Sequence, residues 1–334
     1  MLKSSTRLLE ERLFIRGSSQ EPVANSQYEL IREAADYLRG KIRRTPVEYS
    51  AALSDLLGVP VWLKLESLQL TGSFKIRGAM FAISKLNGDV ITCSAGNHGK
   101  AVAYVSRRAT ICVPRSVDRS KLDAMVRMGA DVRVSEFDGY DETQDWAMEM
   151  AAREKKYFLS PFDDDAVMAA NGGTVAMEVL EDAPDARAFV LPVGGGGLSA
   201  GFAAWAKHSL ADVNIIGCQH VLSPALKMSL DAGEAVTRLP PVETMAGGVE
   251  GGIGARTFTV LQPLVDSVAL VSESEILEGV RWMIANHQYL IEPTAAVTIA
   301  ACLSGKIQVT RPTVIVISGR NVSSETVKKI LCAS

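Results

Sequence analysis

One lysine of this sequence stands in a context that suits covalent chemistry. Lys75 ends the segment Thr71-Gly72-Ser73-Phe74-Lys75 and precedes an apolar run that reads as a helix. A lysine amine becomes a nucleophile when burial lowers its pKa, because only the neutral amine has a free electron pair. Most lysines near the start of a helix are surface residues, so the meaning of Lys75 depends on the segments that accompany it.

Two glycine-rich segments have the composition of anion-binding turns. Each follows an apolar run and precedes a helix, where main-chain N–H groups are free to bind a carboxylate or a phosphate. They read Ser94-Ala95-Gly96-Asn97-His98-Gly99 and Gly194-Gly195-Gly196-Gly197-Leu198. Four consecutive glycines cost conformational entropy, and close approach of a phosphate would explain them. The spacing of neither a dinucleotide fingerprint nor a Walker A loop is present.

A fourth segment places a hydroxyl group after the last apolar run. Ser318-Gly319-Arg320-Asn321 follows the run Thr313-Val314-Ile315-Val316-Ile317. A serine at the end of a strand could donate a hydrogen bond to a ring atom of a ligand. The same position would also suit an ordinary turn.

These segments must be positioned by alternating strands and helices. Helices are predicted at Ser26 to Arg39, Ala51 to Leu57, from Lys100 and from Ala200. Further strands are predicted as short apolar runs that begin at Val61, Val90, Thr110, Asp131, Phe189 and Asn214. Repeated strand–helix units with apolar strands predict an α/β fold with parallel sheets covered on both faces. Ligands bind at the carboxyl ends of such strands, where all four segments lie.

Composition narrows the class of protein. The chain has 334 residues, 47% of them hydrophobic, with a mean hydropathy of +0.13, a net charge of −3 and a pI of about 5.9. We therefore expect a globular protein with no nucleic-acid partner and no membrane partner. The five scattered cysteines and four histidines lack metal-ligand spacing, which favours a reducing compartment, the cytoplasm, and argues against a zinc site.

Taken together, the motifs carry a resemblance to a known family. From about residue 26 to residue 321 the chain resembles fold-type II pyridoxal-phosphate enzymes of the serine/threonine dehydratase and serine racemase group. The matching motifs are Leu63-Lys64-Leu65-Glu66-Ser67-Leu68-Gln69, the Lys75 segment up to Ala79, the two glycine-rich segments, Ile291-Glu292-Pro293-Thr294-Ala295-Ala296 and Ser318-Gly319-Arg320-Asn321.

The resemblance implies a role for each motif. Lys75 would form the Schiff base with pyridoxal 5′-phosphate and later move the Cα proton, and Phe74 would pack beside the cofactor. Asn97 would hydrogen-bond the 3′-oxygen of the ring, and Ser318 would face the ring nitrogen. Gly194, Gly195, Gly196, Gly197 and Leu198 would bind the phosphate through their amides. The pocket for the substrate carboxylate would be lined by Ser94, Ala95, Gly96, Asn97 and His98.

The resemblance also implies an organisation in two lobes with the cofactor between them. Residues 26–88 and 158–334 would form a large cofactor-binding domain, and residues 89–157 a small mobile domain. Residues 1–25 are interpreted as an N-terminal arm. The resemblance also implies that the protein is a homodimer and that its substrate is a small amino acid.

The implied reaction is β-elimination. A hydroxyl partner leaves the ring nitrogen essentially unprotonated, so carbanion character is best relieved by expelling a β-leaving group. We therefore expect a dehydratase (ammonia-lyase) that converts serine, threonine or a related β-hydroxy amino acid into a 2-keto acid and ammonia. Two alternatives stay open: a racemase or β-replacement enzyme of the same fold, and a pyridoxal-phosphate-binding protein without turnover.

Five positions depart from the pattern of the group. Ala95 stands where racemases have a serine that exchanges a proton, which favours elimination over racemisation. Gln219 and Ala225 replace the acidic residues of a divalent-cation site, so we expect no metal. Gly247 stands where relatives usually have an aspartate. Arg320 replaces a common glycine and either favours an acidic substrate or forms an outer salt bridge.

Overall fold

The computed structural model describes residues 20–332, and just under half of them lie in α-helices. The α-helices in chain order are Gln20–Leu38 (α1), Ala51–Leu57 (α2), Lys75–Ser84 (α3), Asn97–Val105 (α4), Arg119–Arg127 (α5), Tyr140–Glu154 (α6), Asp165–Met168 (α7), Thr174–Asp182 (α8), Gly197–Ser209 (α9), Ala225–Ala232 (α10), Ala255–Leu261 (α11), Glu273–His287 (α12), Pro293–Leu303 (α13) and Ser324–Cys332 (α14). A π-helical turn, Ala169–Gly173, joins α7 to α8.

The strands form two separate sheets. They are Val47–Tyr49 (β1), Val61–Lys64 (β2), Val90–Cys93 (β3), Thr110–Val113 (β4), Asp131–Val134 (β5), Tyr157–Phe158 (β6), Ala188–Pro192 (β7), Asn214–His220 (β8), Ser267–Val271 (β9) and Thr313–Val316 (β10). The larger sheet has the order β1-β2-β10-β7-β8-β9, and the smaller has the order β5-β4-β3-β6. All neighbouring pairs are parallel except β1 with β2.

Burial explains why the central strands read as continuous apolar runs. Every residue of β3, β4, β7 and β10 is buried, because helices cover both faces of each sheet. The edge strand β9 is only partly buried. The α/β fold class expected from the sequence is thereby confirmed.

Helix α3 connects the two sheets. Its residues Ile76, Ala79 and Ala82 pack in the same core cluster as Val90 and Ile111 of the smaller sheet. Its first residue is Lys75, so the packing of the helix fixes the start of the lysine side chain. The turn before it contains Thr71 at φ +62, a left-handed conformation that non-glycine residues rarely adopt.

The predicted elements match most of the observed ones. Strands β3, β4 and β5 begin and end at the predicted residues, and α4 and α9 each begin three residues earlier than predicted. Strands β1, β6 and β9 were not predicted. The first two are only three and two residues long, too short for a periodic pattern to emerge. Strand β9 has an apolar composition that could have indicated it.

The first helix begins before the predicted residue. Helix α1 starts at Gln20 rather than at Ser26, so residues 20–25 of the predicted arm are helical. The rest of that arm, residues 1–19, lies outside the described residues. The sheets are built from separate parts of the chain, but the predicted division into domains stays a prediction. No helix within residues 20–332 combines the length and the apolarity that a membrane span requires.

Candidate active site

Lys75 has a desolvated amine at the start of α3. Its Nζ donates a hydrogen bond to the main-chain oxygen of Pro161 at 2.8 Å. Burial lowers the pKa of Lys75 to about 8, and the charge of Glu292 opposes this shift. A substantial fraction of the amine is therefore neutral in slightly alkaline solution, which a nucleophile or a base requires.

The end of β10 is joined directly to the turn that carries Lys75. The main-chain N–H of Phe74 donates to the oxygen of Ser318 at 3.2 Å, and Ser73 forms a β-bridge with Gly319. The ring of Phe74 is buried and its centroid lies 5.1 Å from Nζ of Lys75. Two segments that the sequence separates by more than 240 residues thus meet at the predicted site.

Ser318 presents an unpartnered hydroxyl. Its side chain is 1% exposed, and within the described residues its Oγ has no hydrogen-bond partner. A buried hydroxyl without a partner is unfavourable by roughly 1–3 kcal/mol, so its retention at a strand end indicates a ligand that completes the bond.

The glycine run is shaped by close packing on its protein side. A Cβ at Gly195 would overlap the ring of Phe162, and one at Gly196 would lie 2.8 Å from Oγ1 of Thr257. Gly196 also has φ +92, which disfavours any side chain. Part of the reason for four glycines is therefore packing, which the sequence did not reveal. Phe162 adjoins Pro161, the partner of Lys75, so the run lies beside the lysine.

The other side of the run presents free donors. Among the described residues, no protein atom accepts a hydrogen bond from the main-chain N–H groups of Gly194 to Leu198. These groups stand at the N-terminus of α9, a helix of 13 residues, whose dipole adds positive potential. Five free amides, an unpartnered hydroxyl and a desolvated amine fit the phosphate, ring nitrogen and aldehyde of pyridoxal phosphate.

The second glycine-rich segment lies at the N-terminus of α4. Gly96 is exposed, Ser94 and Ala95 are partly exposed, and Oγ of Ser94 accepts from the N–H of Gly96 at 3.2 Å. His98 is buried, and burial followed by the charge of Lys75 lowers its pKa to about 3. The ring is therefore neutral at ordinary pH. The open face of this segment could hold a carboxylate, as predicted.

Glu292 is a site residue for which no role was predicted from the sequence. Its carboxylate is 7% exposed, and its Oε1 accepts from Nδ2 of Asn97 at 2.7 Å. Burial raises the pKa of Glu292 to about 7, so the group holds a proton in weakly acidic solution. A side chain at Gly319 would overlap this carboxylate. An acidic residue inside the buried motif Ile291–Ala296 was the available signal.

Asn97 belongs to a chain of hydrogen-bonded side chains. Its Oδ1 accepts from Nδ2 of Asn321 at 2.7 Å, and Oδ1 of Asn321 accepts from Nζ of Lys100 at 2.7 Å. Nδ2 of Asn321 also donates to the oxygen of Thr71 at 2.8 Å. The structure therefore brings together Lys75, Asn97, the glycine run and Ser318, while their roles stay predictions.

A buried cluster of charged side chains anchors α3. Arg77 is fully buried and donates from Nε and Nη2 to Glu66 at 2.9 and 2.7 Å. It also donates from Nη1 to Glu178 at 2.7 Å, and Nζ of Lys64 donates to the same carboxylate at 2.6 Å. Two cations and two carboxylates thus join α3 to α8 and to the end of β2.

The positions that depart from the family pattern have the following surroundings. A Cβ at Gly247 would lie 3.9 Å from Oε2 of Glu250. The carboxylate of Glu250 is therefore close to the position at which relatives usually have an aspartate. Arg320 is exposed, and its side chain forms no ion pair within residues 20–332. The amide of Gln219 is occupied by the oxygen of Val193 and the N–H of Lys227. The expected absence of a metal stays a prediction.

Comparison with known proteins places these features in context. A sequence model of the family described as "Pyridoxal-phosphate dependent enzyme" matches residues 38–319. An L-threonine ammonia-lyase from Geobacter sulfurreducens is 37% identical over 315 residues, covering 91% of this chain and 78% of the relative. A serine racemase from Mus musculus is 36% identical over 301 residues, covering 85% and 88%.

A solved structure agrees with these relatives. The processed form of threonine deaminase isoform 2 from Solanum lycopersicum superposes with a TM-score of 0.85 at 32% identity. The superposition covers 94% of this chain and 88% of that chain. The family match at residues 38–319 spans the strands of both sheets.

Proposed function

The chain belongs to the pyridoxal-phosphate-dependent enzyme family, and we propose that it is a lyase that converts a β-hydroxy amino acid into a 2-keto acid and ammonia. Serine and threonine are the simplest substrates of this kind. The relative from Geobacter sulfurreducens, an L-threonine ammonia-lyase, and the threonine deaminase structure support this choice of reaction.

The observation that carries the proposal is the convergence of a desolvated amine, an unpartnered hydroxyl and a set of free main-chain amides. The amine of Lys75, the hydroxyl of Ser318 and the free amides of Gly194 to Leu198 lie at one place between the two sheets. Bound pyridoxal phosphate would supply an electron-withdrawing ring that acidifies the Cα–H bond of an attached amino acid. Each of the three groups has a counterpart in that cofactor.

Lys75 has the properties of the base in this reaction. With the cofactor bound to a substrate amine, the Nζ of Lys75 would be free and would lie in the same desolvated site. A pKa of about 8 suits a group that accepts the Cα proton near neutral pH and releases it afterwards. Phe74 limits the movement of the lysine side chain on one side.

The segment Ser94 to His98 would hold the substrate carboxylate. Gly96 is exposed, and the N-terminus of α4 directs main-chain N–H groups toward an anion. Neutral His98 adds no competing charge beneath this segment. Orientation of the carboxylate would bring the Cα–H bond of the substrate toward Lys75.

Ala95 favours elimination over racemisation. Racemisation requires a second group that delivers a proton to the face opposite the lysine, and a methyl group cannot exchange one. The serine racemase relatives keep racemisation as the second candidate. The similarity to the L-threonine ammonia-lyase from Geobacter sulfurreducens favours an enzyme over a binding protein without turnover.

Two further properties complete the proposal. The chain would act as a homodimer, since most oligomers of soluble enzymes are symmetric dimers. It would work in the cytoplasm. The described cysteines are free, which suits a reducing compartment.

A substrate panel tests the proposed function. Protein saturated with pyridoxal phosphate would be offered L-serine, D-serine, L-threonine and the 3-hydroxyaspartate isomers, each with and without a chelator. We expect equal amounts of 2-keto acid and ammonia from at least one of them, unchanged by the chelator. A change in the cofactor absorbance without any keto acid would contradict a dehydratase.

A further inference from the structure

We propose that Lys100 and Asn321 are positioning residues that set the direction in which the amide of Asn97 faces the cofactor. The proposal rests on the proposed cofactor site and deepens it, because it explains how one contact to the ring oxygen is specified. Neither residue was assigned this role by the sequence.

The three side chains form one continuous hydrogen-bonded chain. It runs from Nζ of Lys100 to Oδ1 of Asn321, and from Nδ2 of Asn321 to Oδ1 of Asn97. It ends with the bond from Nδ2 of Asn97 to Oε1 of Glu292. Each of these bonds measures 2.7 Å, which is short enough to transmit an orientation from one amide to the next.

The chemistry of Lys100 gives the chain its direction. An ammonium group has donors and no acceptor, so the atom of Asn321 that faces it must be the oxygen. The nitrogen of Asn321 then faces away and needs acceptors, which are the oxygens of Thr71 and Asn97. Because the oxygen of Asn97 is used in this way, its nitrogen is on the opposite side.

The result is one defined donor in the site. Both hydrogens of the Asn321 amide nitrogen are used, by Thr71 and by Asn97. Among the described residues, the amide nitrogen of Asn97 donates one hydrogen bond, to Glu292. Its second hydrogen remains for the cofactor oxygen that the resemblance assigns to Asn97. If the amide were reversed, an oxygen would face the cofactor oxygen and repel it.

Glu292 cannot set this direction by itself. Burial raises the pKa of Glu292 to about 7, so its carboxyl group is protonated in part of the population at neutral pH. A protonated carboxyl can donate to an amide oxygen as well as accept from an amide nitrogen. Lys100 in its protonated form is the member of the chain that can only donate hydrogen bonds.

The surroundings of Lys100 indicate that it serves as a hydrogen-bond donor and not as a partner in an ion pair. Within residues 20–332 its ammonium group forms no salt bridge, and its recorded acceptor is a neutral amide. Burial and the charge of Arg320 both lower the pKa of Lys100, and the charge of Glu292 opposes this shift. A lysine that is partly buried without a carboxylate partner is unfavourable unless its donors are needed.

The test compares variants of the same site. Lys100→Met removes the donor. Lys100→Gln removes its fixed direction, because an amide can present either its oxygen or its nitrogen. Lys100→Arg keeps a side chain that only donates. Asn321→Asp keeps the acceptor for Lys100 but removes the donor to Asn97. Lys121→Met is the matched control. The charge of Lys121 also acts on Glu292, but within the described residues Lys121 forms no hydrogen bond with the chain of amides.

Two quantities would be measured on folded protein, checked by its melting temperature. The first is the dissociation constant of pyridoxal phosphate for the apoprotein. The second is the pH at which the visible absorbance of the bound cofactor changes. We expect Lys100→Met, Lys100→Gln and Asn321→Asp to weaken cofactor binding by about tenfold, the effect of losing one hydrogen bond to a charged oxygen. The absorbance transition should move to higher pH.

Lys100→Arg and Lys121→Met should stay within about twofold of the wild type, since an effect of that size is below a typical hydrogen bond. Equal losses in Lys100→Met and Lys121→Met would overturn the proposal and indicate a general effect of charge. Unchanged binding and absorbance in Asn321→Asp would also overturn it. A wild type that does not bind pyridoxal phosphate would instead overturn the proposed cofactor site.

Discussion

At the scale of single residues, the site depends on pKa values that burial shifts toward neutral pH. Desolvation lowers the pKa of Lys75 to about 8 and raises that of Glu292 to about 7, so each group loses charge at its own site. Opposite shifts in two groups that interact are typical of catalytic sites. The account therefore makes separate predictions for the two residues.

Lys75 should be the lysine that binds the cofactor covalently. Reduction of the yellow protein with borohydride would fix the bond, and peptide mass analysis would locate it. We expect the modified peptide to contain Lys75, since its desolvated amine is neutral more often than that of an exposed lysine. In Lys75→Ala no peptide should be modified, and modification of another lysine in the wild type would show that the site is wrong.

Glu292 should make the stability of the apoprotein depend on pH. Its pKa is about 7 in the folded state against 4.5 unfolded, so the folded state binds the proton more tightly. Between these values the unfolded state holds fewer protons, and the free energy of unfolding therefore falls as pH rises, by on the order of 3 kcal/mol in total. Denaturant unfolding at pH 5 and pH 7.5 would measure it.

The control for this prediction is Glu292→Gln, which keeps an acceptor for Asn97 but cannot titrate. The variant should lose less stability than the wild type between the two pH values. Titrating groups that do not interact with Glu292 contribute equally to both proteins and cancel in the comparison. An identical pH dependence of wild type and variant would show that Glu292 titrates normally.

At the scale of elements, α3 and α9 carry the site because other contacts hold their first turns in place. The ion cluster of Arg77, Glu66, Glu178 and Lys64 holds α3 against the larger sheet. The glycine run before α9 is held by Phe162 and Thr257. Each arrangement predicts a cost for a single substitution.

Arg77→Met should destabilise the protein strongly. The substitution leaves two buried carboxylates with only Lys64 to compensate them, a situation that costs on the order of 3–5 kcal/mol. The exposed pair Arg115–Asp138 provides the control, and Arg115→Met should leave the free energy of unfolding unchanged within error. Equal effects of the two substitutions in denaturant unfolding would show that the cluster does not anchor α3.

Gly196→Ala should weaken both folding and cofactor binding. The new methyl group would meet Oγ1 of Thr257 and would occupy a position with φ +92. We expect a loss of about 2–3 kcal/mol of stability and a weaker affinity for pyridoxal phosphate. Gly233→Ala separates the two causes, because Gly233 has φ +75 with no atom within 4 Å. It should cost only about 1 kcal/mol and leave cofactor binding intact.

The sequence predicted these elements better than the contacts between their side chains. Strands such as β3 and β7 are buried along their whole length, and the glycine-rich segments that follow them indicate a ligand from local composition alone. The bond from Asn97 to Glu292 joins residues 195 positions apart, and that from Lys100 to Asn321 joins residues 221 apart. Such pairs depend on the three-dimensional arrangement of both sheets, which local patterns do not specify.

At the scale of the whole molecule, the site lies where segments of the two sheets meet. Helix α3 packs with the smaller sheet, yet its first turn bonds to the end of β10 in the larger one. Relative movement of the sheets would therefore change the surroundings of Lys75 directly. Closure over a substrate can be coupled to proton transfer in this way.

The proposed homodimer is a separate prediction at this scale. A chain of 35.8 kDa should sediment as a particle of about 72 kDa at micromolar concentration if it forms the symmetric dimer that most such enzymes adopt. Sedimentation equilibrium over a range of concentrations would measure this mass. A constant mass of one chain would contradict the dimer but would leave the proposed reaction unaffected.

The most direct test of the central claim is the parallel measurement of 2-keto acid and D-amino acid formed from L-serine and L-threonine. The wild type loaded with cofactor would be compared with Lys75→Ala. The account predicts keto acid and ammonia in equal amounts from the wild type, little D-amino acid because of Ala95, and no product from the variant. An excess of D-amino acid, or undiminished keto acid from Lys75→Ala, would contradict it.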